Sequence, residues 1–295
     1  MNNCLFEGAG VALITPMNED GSVNYKKLRE LVSWQIENKT DAIIACGTTG
    51  ESSTLDDKEH RKVIEEVVKE TNGRIPVIAG TGSNNTQYAI ELSKEAEKLG
   101  ADGVLVVSPY YNKASQPGLI KHYSTIADSI NIPLIIYDIP SRTGCKISIE
   151  TFKTLANHDN IAGVKAASGV ISDIATLAAE CGDRLDIYSG NDEQIVPIMS
   201  LGGKGVISVI SNIVPKETHD ICRLYLDGKC HESTKMQLDF IELIHALFID
   251  VNPIPVKDAM NMMGMKVGSC RLPLCSLDKS KMDILKACLK KYKLV

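Results

Sequence analysis

One lysine, Lys165, ends an apolar run of strand-forming residues at 161–164, and small residues follow it. An amine at the inner end of a strand is poorly solvated, so burial lowers its pKa and free amine is present near neutral pH. A neutral, positioned amine can attack a ketone and form a Schiff base. Taken alone, Lys165 has a simpler interpretation, in which it caps a strand and reaches solvent on its flexible stem. The residues around it decide between the two.

Polar residues follow other apolar runs of the chain. Thr48 and Thr49 stand in a Gly-Thr-Thr-Gly turn, where hydroxyl and backbone N–H groups suit a small carboxylate. Tyr137 ends the run before that of Lys165, so its phenol could donate and recover a proton at the carbon that the lysine attacks. Arg142 lies in the next loop and could hold a second carboxylate. The ordinary alternatives are a helix-capping turn, a core tyrosine and a surface ion pair.

Short apolar runs alternate with helical patterns along most of the chain. The runs predict strands at about residues 8–16, 41–47, 75–80, 103–107, 133–137, 161–165, 185–188 and 205–209. They are nearly unbroken, which is typical of a parallel sheet covered on both faces. Eight such units in roughly 215 residues predict an α/β fold, the (β/α)8 TIM barrel. A doubly wound sheet is the alternative, but no glycine fingerprint of a dinucleotide site follows the first strand.

Beyond about residue 216 only helical patterns follow, at 217–226, 231–248, 255–263 and 279–290. This segment is longer than the closing helix of a barrel requires. We therefore expect a catalytic barrel over residues 1–228 and a C-terminal helical appendage over residues 229–295, packed on the barrel.

A barrel of this kind forms its active site at the carboxyl ends of the strands. Lys165, Tyr137, the Thr48–Thr49 turn and Arg142 all follow strands, so the fold would bring them to one mouth. The histidines lie in or beside predicted helices and form no metal-ligand or nucleophile–base pattern. This placement disfavours metal-assisted aldol chemistry.

Bulk composition excludes several classes of partner. The formal net charge of -5 leaves no basic surface for nucleic acid, and no basic amphipathic stretch suggests a membrane partner. Residues 1–8 lack the basic start and apolar run of a secretory signal. The chain has nine cysteines without a CxxC pair, which predicts free thiols in a reducing, cytoplasmic compartment.

Four motifs in order resemble the dihydrodipicolinate synthase/N-acetylneuraminate lyase family, from about residue 8 to the end. They are Gly-Thr-Thr-Gly-Glu-Ser at 47–52, Ser-Pro-Tyr-Tyr-Asn at 108–112, Tyr-Asp-Ile-Pro-Ser-Arg-Thr-Gly at 137–144 and Gly-Val-Lys at 163–165. Arg142, the Asn-Pro-Ile-Pro-Val-Lys stretch at 252–257 and Arg-Leu-Pro-Leu at 271–274 favour the synthase branch of the family.

The resemblance implies a reaction and a set of roles. Lys165 would form a Schiff base with pyruvate, and the resulting enamine would attack L-aspartate 4-semialdehyde, without a cofactor. This is the first committed step of lysine biosynthesis through diaminopimelate. The resemblance also implies a homo-oligomer, usually a tetramer built as a dimer of dimers. The resemblance implies a proton relay of Tyr137, Thr49 and Tyr111, in which Tyr111 crosses into a neighbouring subunit. It also implies that the substrate is contacted by Thr48, Thr49, Arg142 and the backbone of Ile207.

The sequence departs from the family pattern at two positions beside the catalytic residues. Asp138 stands where members often have asparagine, and Ala166 stands where glutamate commonly follows the lysine. Both changes could retune nearby pKa values without abolishing the chemistry.

Some family members are inhibited by lysine at a pocket between subunits. The positions that match this pocket are Ser52, His60, Asn84 and Tyr110. Asp57 and Tyr88, however, replace a histidine and a glutamate of lysine-sensitive members, which removes a partner for the ammonium group of lysine. The resemblance therefore predicts weak or absent inhibition by lysine.

Two other functions remain as alternatives. Another pyruvate aldolase of the family, such as N-acetylneuraminate lyase or a keto-deoxy-sugar aldolase, would keep Lys165 and Tyr137 but need contacts to sugar hydroxyls in place of Arg142. A non-catalytic binding protein on a barrel scaffold would be expected to lose Lys165 or Tyr137, and the sequence retains both.

Overall fold

The computed structural model describes residues 4–295, so the first three residues of the stretch examined for a secretory signal lie outside it. Within this range, eight strands form one closed parallel barrel in chain order, which confirms the predicted (β/α)8 fold. The strands are β1 (Gly8–Ala12), β2 (Ala42–Ala45), β3 (Val77–Gly80), β4 (Gly103–Val107), β5 (Leu134–Asp138), β6 (Ile161–Ala166), β7 (Asp186–Ser189) and β8 (Gly205–Ser208).

Helices cover the outside of the barrel and continue beyond its last strand. They are α1 (Tyr25–Glu37), α2 (Asp57–Thr71), α3 (Thr86–Lys98), α4 (Gln116–Ala127), α5 (Pro140–Thr143), α6 (Ile149–Leu155), α7 (Ile171–Cys181), α8 (Ile195–Met199), α9 (Pro215–Leu226), α10 (Cys230–Asp239), α11 (Ile241–Ala246), α12 (Ile254–Met262) and α13 (Lys279–Lys291). Short 3₁₀ helices occupy Ser52–Thr54, Asp192–Gln194 and Ile210–Asn212. Among residues 4–295, no helix has both the length and the apolar character needed to cross a lipid bilayer.

Local signals in the sequence account for several helix ends. The side chain of Asp56 accepts a hydrogen bond from the backbone of Glu59, and the Glu59 side chain accepts one from the backbone of Asp56, which makes a capping box at the start of α2. Helix α3 ends before Gly100, whose φ of 91° is a left-handed conformation that glycine adopts without a steric penalty.

The strands are apolar on both faces because each face packs against protein. Side chains that point inward fill the barrel, and those that point outward pack under the helices. The inner cluster consists of Phe6, Ala12, Ala42, Ile44, Ile78, Leu105, Ile135, Tyr137, Ile139, Ala167, Tyr188 and Ile207. Phe6 stacks on Tyr188 with ring centroids 4.4 Å apart. The barrel interior is therefore a packed core that leaves room for chemistry only at its mouth.

The C-terminal helices differ from the prediction in one respect. A single helix over residues 231–248 is wrong, because the chain turns at Phe240 and divides that stretch into α10 and α11. Phe240 stacks on Tyr292 at the end of the chain, with centroids 5.5 Å apart, so a tertiary contact holds the turn. The division into a barrel over 1–228 and an appendage over 229–295 stays a prediction.

Candidate active site

Lys165 lies near the end of β6, where its side chain points into the mouth of the barrel. Its backbone pairs with Tyr137 of β5 on one side and with Tyr188 of β7 on the other. The residue is only 6% exposed. The pKa of Lys165 is lowered to about 7, chiefly by burial; the carboxylate of Asp192 opposes the shift, and the charge of Arg142 adds to it. A substantial fraction of the amine is therefore neutral at physiological pH.

The phenol ring of Tyr137 lies directly against this amine. The Lys165 Nζ is 4.2 Å from the ring centroid. Burial raises the pKa of Tyr137, while Arg142 and a hydrogen bond with Thr48 oppose the shift. The phenol therefore keeps its proton at neutral pH. It can donate that proton to a carbonyl oxygen on the carbon that the lysine attacks, and later recover it.

The two threonines of the turn have different partners. The Thr48 hydroxyl bonds with Tyr137, whereas Thr49, which we expected in the relay, accepts a hydrogen bond from Asn252 Nδ2 at 3.0 Å. Thr48 also lines the same small cavity as Tyr137. The structure thus brings Thr48, and not Thr49, to Tyr137.

Asn252 begins the Asn-Pro-Ile-Pro-Val-Lys motif, and its type and spacing alone indicate no role. Besides its bond to Thr49, its backbone oxygen accepts from Arg142 Nη2 at 3.2 Å. Arg142 itself is on α5, exposed at the rim of the mouth. One residue of the C-terminal segment therefore positions both the threonine turn and the rim arginine.

A buried ion pair between Glu51 and Lys257 holds the turn that contains Thr48 and Thr49. Glu51 has a left-handed φ of 55°, and its carboxylate lies 2.7 Å from Lys257 Nζ. The other two N–H groups of Lys257 donate to the backbone oxygens of Thr15 at 3.1 Å and Ser269 at 2.8 Å. All three donors of this lysine are used. The synthase-like motif at 252–257 therefore has a structural role in holding the Gly50–Glu51 turn.

Asp192, which follows β7, was also given no role from the sequence. It is buried, and its Oδ2 accepts from the backbone of Val209 at 3.0 Å and Ile210 at 2.9 Å. These bonds hold the chain just after β8, the strand that carries Ile207. Because its charge also acts on Lys165, Asp192 is a second positioning residue of the mouth. Its position just after β7, at the end of the barrel where active sites form, is the sequence feature that could have identified it.

Ile207 and Tyr111 occupy opposite extremes of exposure. Ile207 is buried on β8 inside the barrel, where its backbone pairs with Gly10. Tyr111 is 91% exposed and has a φ of 71°, which is uncommon for a bulky residue. Within one chain, the structure does not bring Tyr111 to Lys165.

Of the four residues matched to an effector pocket, Asn84 and Tyr110 contact each other, whereas His60 and Ser52 have other partners or line a separate cavity. Asn84 Nδ2 donates to the Tyr110 backbone oxygen at 3.2 Å, and the Tyr88 hydroxyl bonds to Asp57. His60 turns inward, and its Nε2 lies 2.8 Å from the backbone oxygen of Gly80. Ser52 lines a separate cavity of about 40 Å³ together with Thr48, Tyr137 and other residues. Weak lysine inhibition stays a prediction.

Within residues 4–295, no three His, Cys, Asp or Glu side chains are arranged to hold a metal ion. The reactive groups of the mouth are thus an amine, a phenol, hydroxyls and a guanidinium. Together they suit carbonyl chemistry on a substrate that carries carboxylates.

Comparison with known proteins gives a consistent result. Residues 5–292 match the model of the dihydrodipicolinate synthetase family. The 4-hydroxy-tetrahydrodipicolinate synthase of Clostridium novyi (strain NT) is 54% identical over 288 residues, which cover 98% of this chain and 97% of that protein. The 4-hydroxy-tetrahydrodipicolinate synthase 1 of Clostridium acetobutylicum is 54% identical over 291 residues, 99% of each chain.

Solved structures agree over the same length. A crystal structure of a dihydrodipicolinate synthase superposes with a TM-score of 0.96 at 46% identity, covering 98% of this chain and 100% of the other. The chloride-inhibited enzyme from Acinetobacter baumannii, solved with pyruvate, gives a TM-score of 0.96 at 42% identity over 98% and 99% of the two chains. A monomeric dihydrodipicolinate synthase variant also gives 0.96, at 38% identity over 99% and 98%.

Proposed function

This chain belongs to the dihydrodipicolinate synthetase family, and we propose that Lys165 and Tyr137 perform the family's reaction at the mouth of its barrel. The chain is a lyase that catalyses the 4-hydroxy-tetrahydrodipicolinate synthase reaction of lysine biosynthesis. The observation that carries the residue assignment is the buried Lys165 amine, with a pKa of about 7, lying against the Tyr137 ring.

The reaction follows from a neutral lysine. Its Nζ attacks the ketone carbon of pyruvate, a C–N bond forms, and the keto oxygen leaves as water. The iminium loses a methyl proton to give an enamine, whose carbon attacks the aldehyde of L-aspartate 4-semialdehyde, and the aldehyde oxygen takes up a proton. The amino group of the condensed product then attacks the iminium carbon, which closes the ring and frees the lysine. No cofactor is needed, because the iminium itself is the electron sink.

Protons move through hydroxyl groups beside the lysine. Tyr137 donates to the departing keto oxygen and recovers a proton at later steps. Thr48 is its partner in this relay, since its hydroxyl bonds to the phenol. Tyr111 completes the relay from a neighbouring subunit, where its exposure and its left-handed backbone suit an intermolecular contact.

Each of the two substrate carboxylates is held by a different group of the mouth. Thr48 and Thr49 hold the carboxylate of pyruvate, the substrate found in the Acinetobacter baumannii relative. Arg142 holds the carboxylate of the semialdehyde by two parallel hydrogen bonds. The backbone of Ile207 borders the site from β8.

The assembly and the compartment are proposals of the same kind. We propose a homotetramer made of two dimers, in which Tyr111 crosses between subunits. Exposed apolar side chains such as Leu272, at 82%, are available for such contacts. We place the reaction in the cytoplasm, since all nine cysteines are free thiols.

The substrate assignment is tested by offering the purified protein pyruvate with one aldehyde at a time. Aspartate semialdehyde should be consumed selectively over N-acetylmannosamine and glyceraldehyde. Arg142→Lys keeps the charge but loses the two-pronged contact, so KM for the semialdehyde should rise about tenfold. KM for pyruvate should stay within about twofold.

The matched control is Arg223→Lys, at an exposed arginine paired with Asp227, which should leave both KM values unchanged. Turnover only with a sugar aldehyde would keep the Schiff-base lysine but overturn the role of Arg142. No turnover with any aldehyde would favour a binding function.

The relay is tested by removing each threonine hydroxyl separately. Thr48→Val should lower kcat by about 100-fold, because Tyr137 loses its hydrogen-bond partner. Thr49→Val removes the contact with Asn252 and a hydroxyl for the pyruvate carboxylate but leaves the partner of Tyr137, so kcat should fall by no more than about tenfold, with a higher KM for pyruvate. Steady-state kinetics of the two variants decide between them. If Thr49→Val gives the larger loss of kcat, the relay passes through Thr49 instead.

A further inference from the structure

A cavity of about 370 Å³ lies outside the barrel wall, between the ends of β5 and β6 and helices α6 and α7. Its size falls within the range of small-molecule sites. The walls are mostly apolar and include Ile147, Ile149, Phe152, Val164, Ile174 and Leu177. Both departures from the family pattern, Asp138 and Ala166, line this cavity, and the reaction uses neither.

Asp138 supplies a buried carboxylate oxygen that accepts no hydrogen bond within the described residues. It is the last residue of β5, and the alternation of side chains along a strand points it away from the face that carries Tyr137. The residue is 7% exposed, and its Oδ1 has no hydrogen-bond partner in the described part of the chain. The backbone N–H of Ile147 donates to the carboxyl group. A buried acceptor that lacks a donor is costly, so a donor arriving in the cavity would be stabilised.

The charge of this carboxyl group indicates what kind of donor fits. Burial raises the pKa of Asp138 to about 6, with Lys146 opposing the shift and Asp173 adding to it. At neutral pH the group is therefore mostly ionised. Lys146 does not neutralise it directly, because its Nζ bonds to Asp173 at 2.7 Å, in an exposed ion pair that also lines the cavity.

Ala166 leaves the space that a ligand needs. Its backbone pairs with that of Asp138 in the register of β5 and β6, so the two side chains lie beside each other on the outer face. A single methyl group there lets the cavity reach from the carboxyl group to the apolar side chains of α6 and α7.

We propose that this cavity binds a small organic ammonium ion that carries an apolar body. The ammonium group donates to Asp138 Oδ1 in a charge-assisted hydrogen bond, and the apolar body packs against Phe152, Ile174 and Leu177. An anionic ligand is repelled by Asp138, and a neutral alcohol lacks the charge. The site lies behind Lys165 and Tyr137 and is separate from the site of the reaction.

The test is isothermal titration calorimetry of the full-length protein, without pyruvate, using isoamylamine as the probe. Isoamyl alcohol and isocaproate are the neutral and anionic comparators of similar shape. Isoamylamine should bind at least about tenfold more tightly than either comparator. Asp138→Asn should weaken amine binding by at least about tenfold, because the charge is lost while the shape stays the same.

Two further variants separate the site from general effects. Ala166→Leu fills the cavity and should also weaken binding by about tenfold or more, whether or not Asp138→Asn folds normally. Asp183→Asn, at an exposed aspartate just beyond the other end of α7, makes the same charge change and should leave affinity within about twofold. Equal binding of amine and alcohol, unchanged binding in both cavity variants, or no saturable binding of isoamylamine would overturn the proposal.

Discussion

A Lys165→Met variant is expected to lose turnover of pyruvate by a factor of about 10⁴ or more, as when a covalent nucleophile is removed. Methionine keeps the unbranched shape of the side chain up to the position of Cε but has no amine, so it cannot form a Schiff base. Borohydride reduction in the presence of pyruvate should link pyruvate to the wild-type chain and leave the variant unmodified. Mass spectrometry of peptides containing residue 165 measures the difference.

The pH dependence of this trapping reaction tests the lowered pKa of Lys165 independently. Lys165 has a pKa lowered by burial to about 7, and only its neutral form attacks the ketone. The trapping rate of the wild type should therefore rise as pH increases through about 7 and level off above it. Lys153→Met, at a surface lysine paired with Glu180 at 3.2 Å, should behave as the wild type. Pyruvate attached to Lys257, the other deeply buried lysine, would contradict the assignment.

A Lys257→Met variant is expected to lower the free energy of unfolding by about 3–5 kcal/mol. Lys257 and Glu51 are each 1% exposed, so removing the ammonium group leaves a carboxylate buried without its counter-charge. The backbone oxygens of Thr15 and Ser269 also lose their donor. Urea denaturation of the wild type and the variant measures the loss.

The control breaks an ion pair of similar length at the surface. Lys281 Nζ lies 2.6 Å from Asp250, but both side chains are partly exposed to water. Lys281→Met should therefore cost less than about 1 kcal/mol. Comparable losses in the two variants would show that burial does not set the strength of the Lys257–Glu51 pair. Restoration of stability in a Glu51→Gln, Lys257→Met double variant would support the uncompensated charge as the cause.

Much of the fold and the centre of the site could be read from the sequence. Unbroken apolar runs separated by helical patterns predicted a parallel barrel, because both faces of each strand are buried. Once the barrel is known, the residues that end neighbouring strands must meet at one mouth. Chain order alone therefore predicted that Lys165 and Tyr137 lie side by side, because β5 and β6 are consecutive in the chain and adjacent in the barrel.

Other features depend on contacts that no local pattern encodes. Asn252 lies 203 residues from Thr49, and Lys257 lies 206 residues from Glu51, yet these pairs fix the turn that faces the substrate. The choice of Thr48 over Thr49 as the partner of Tyr137 follows from how that turn is held. The break at Phe240 and the cavity beside Asp138 likewise arise where distant elements pack. Periodicity and propensity act over a few residues, so the sequence determined the elements and their order, whereas the directions of single side chains were decided only when those elements packed.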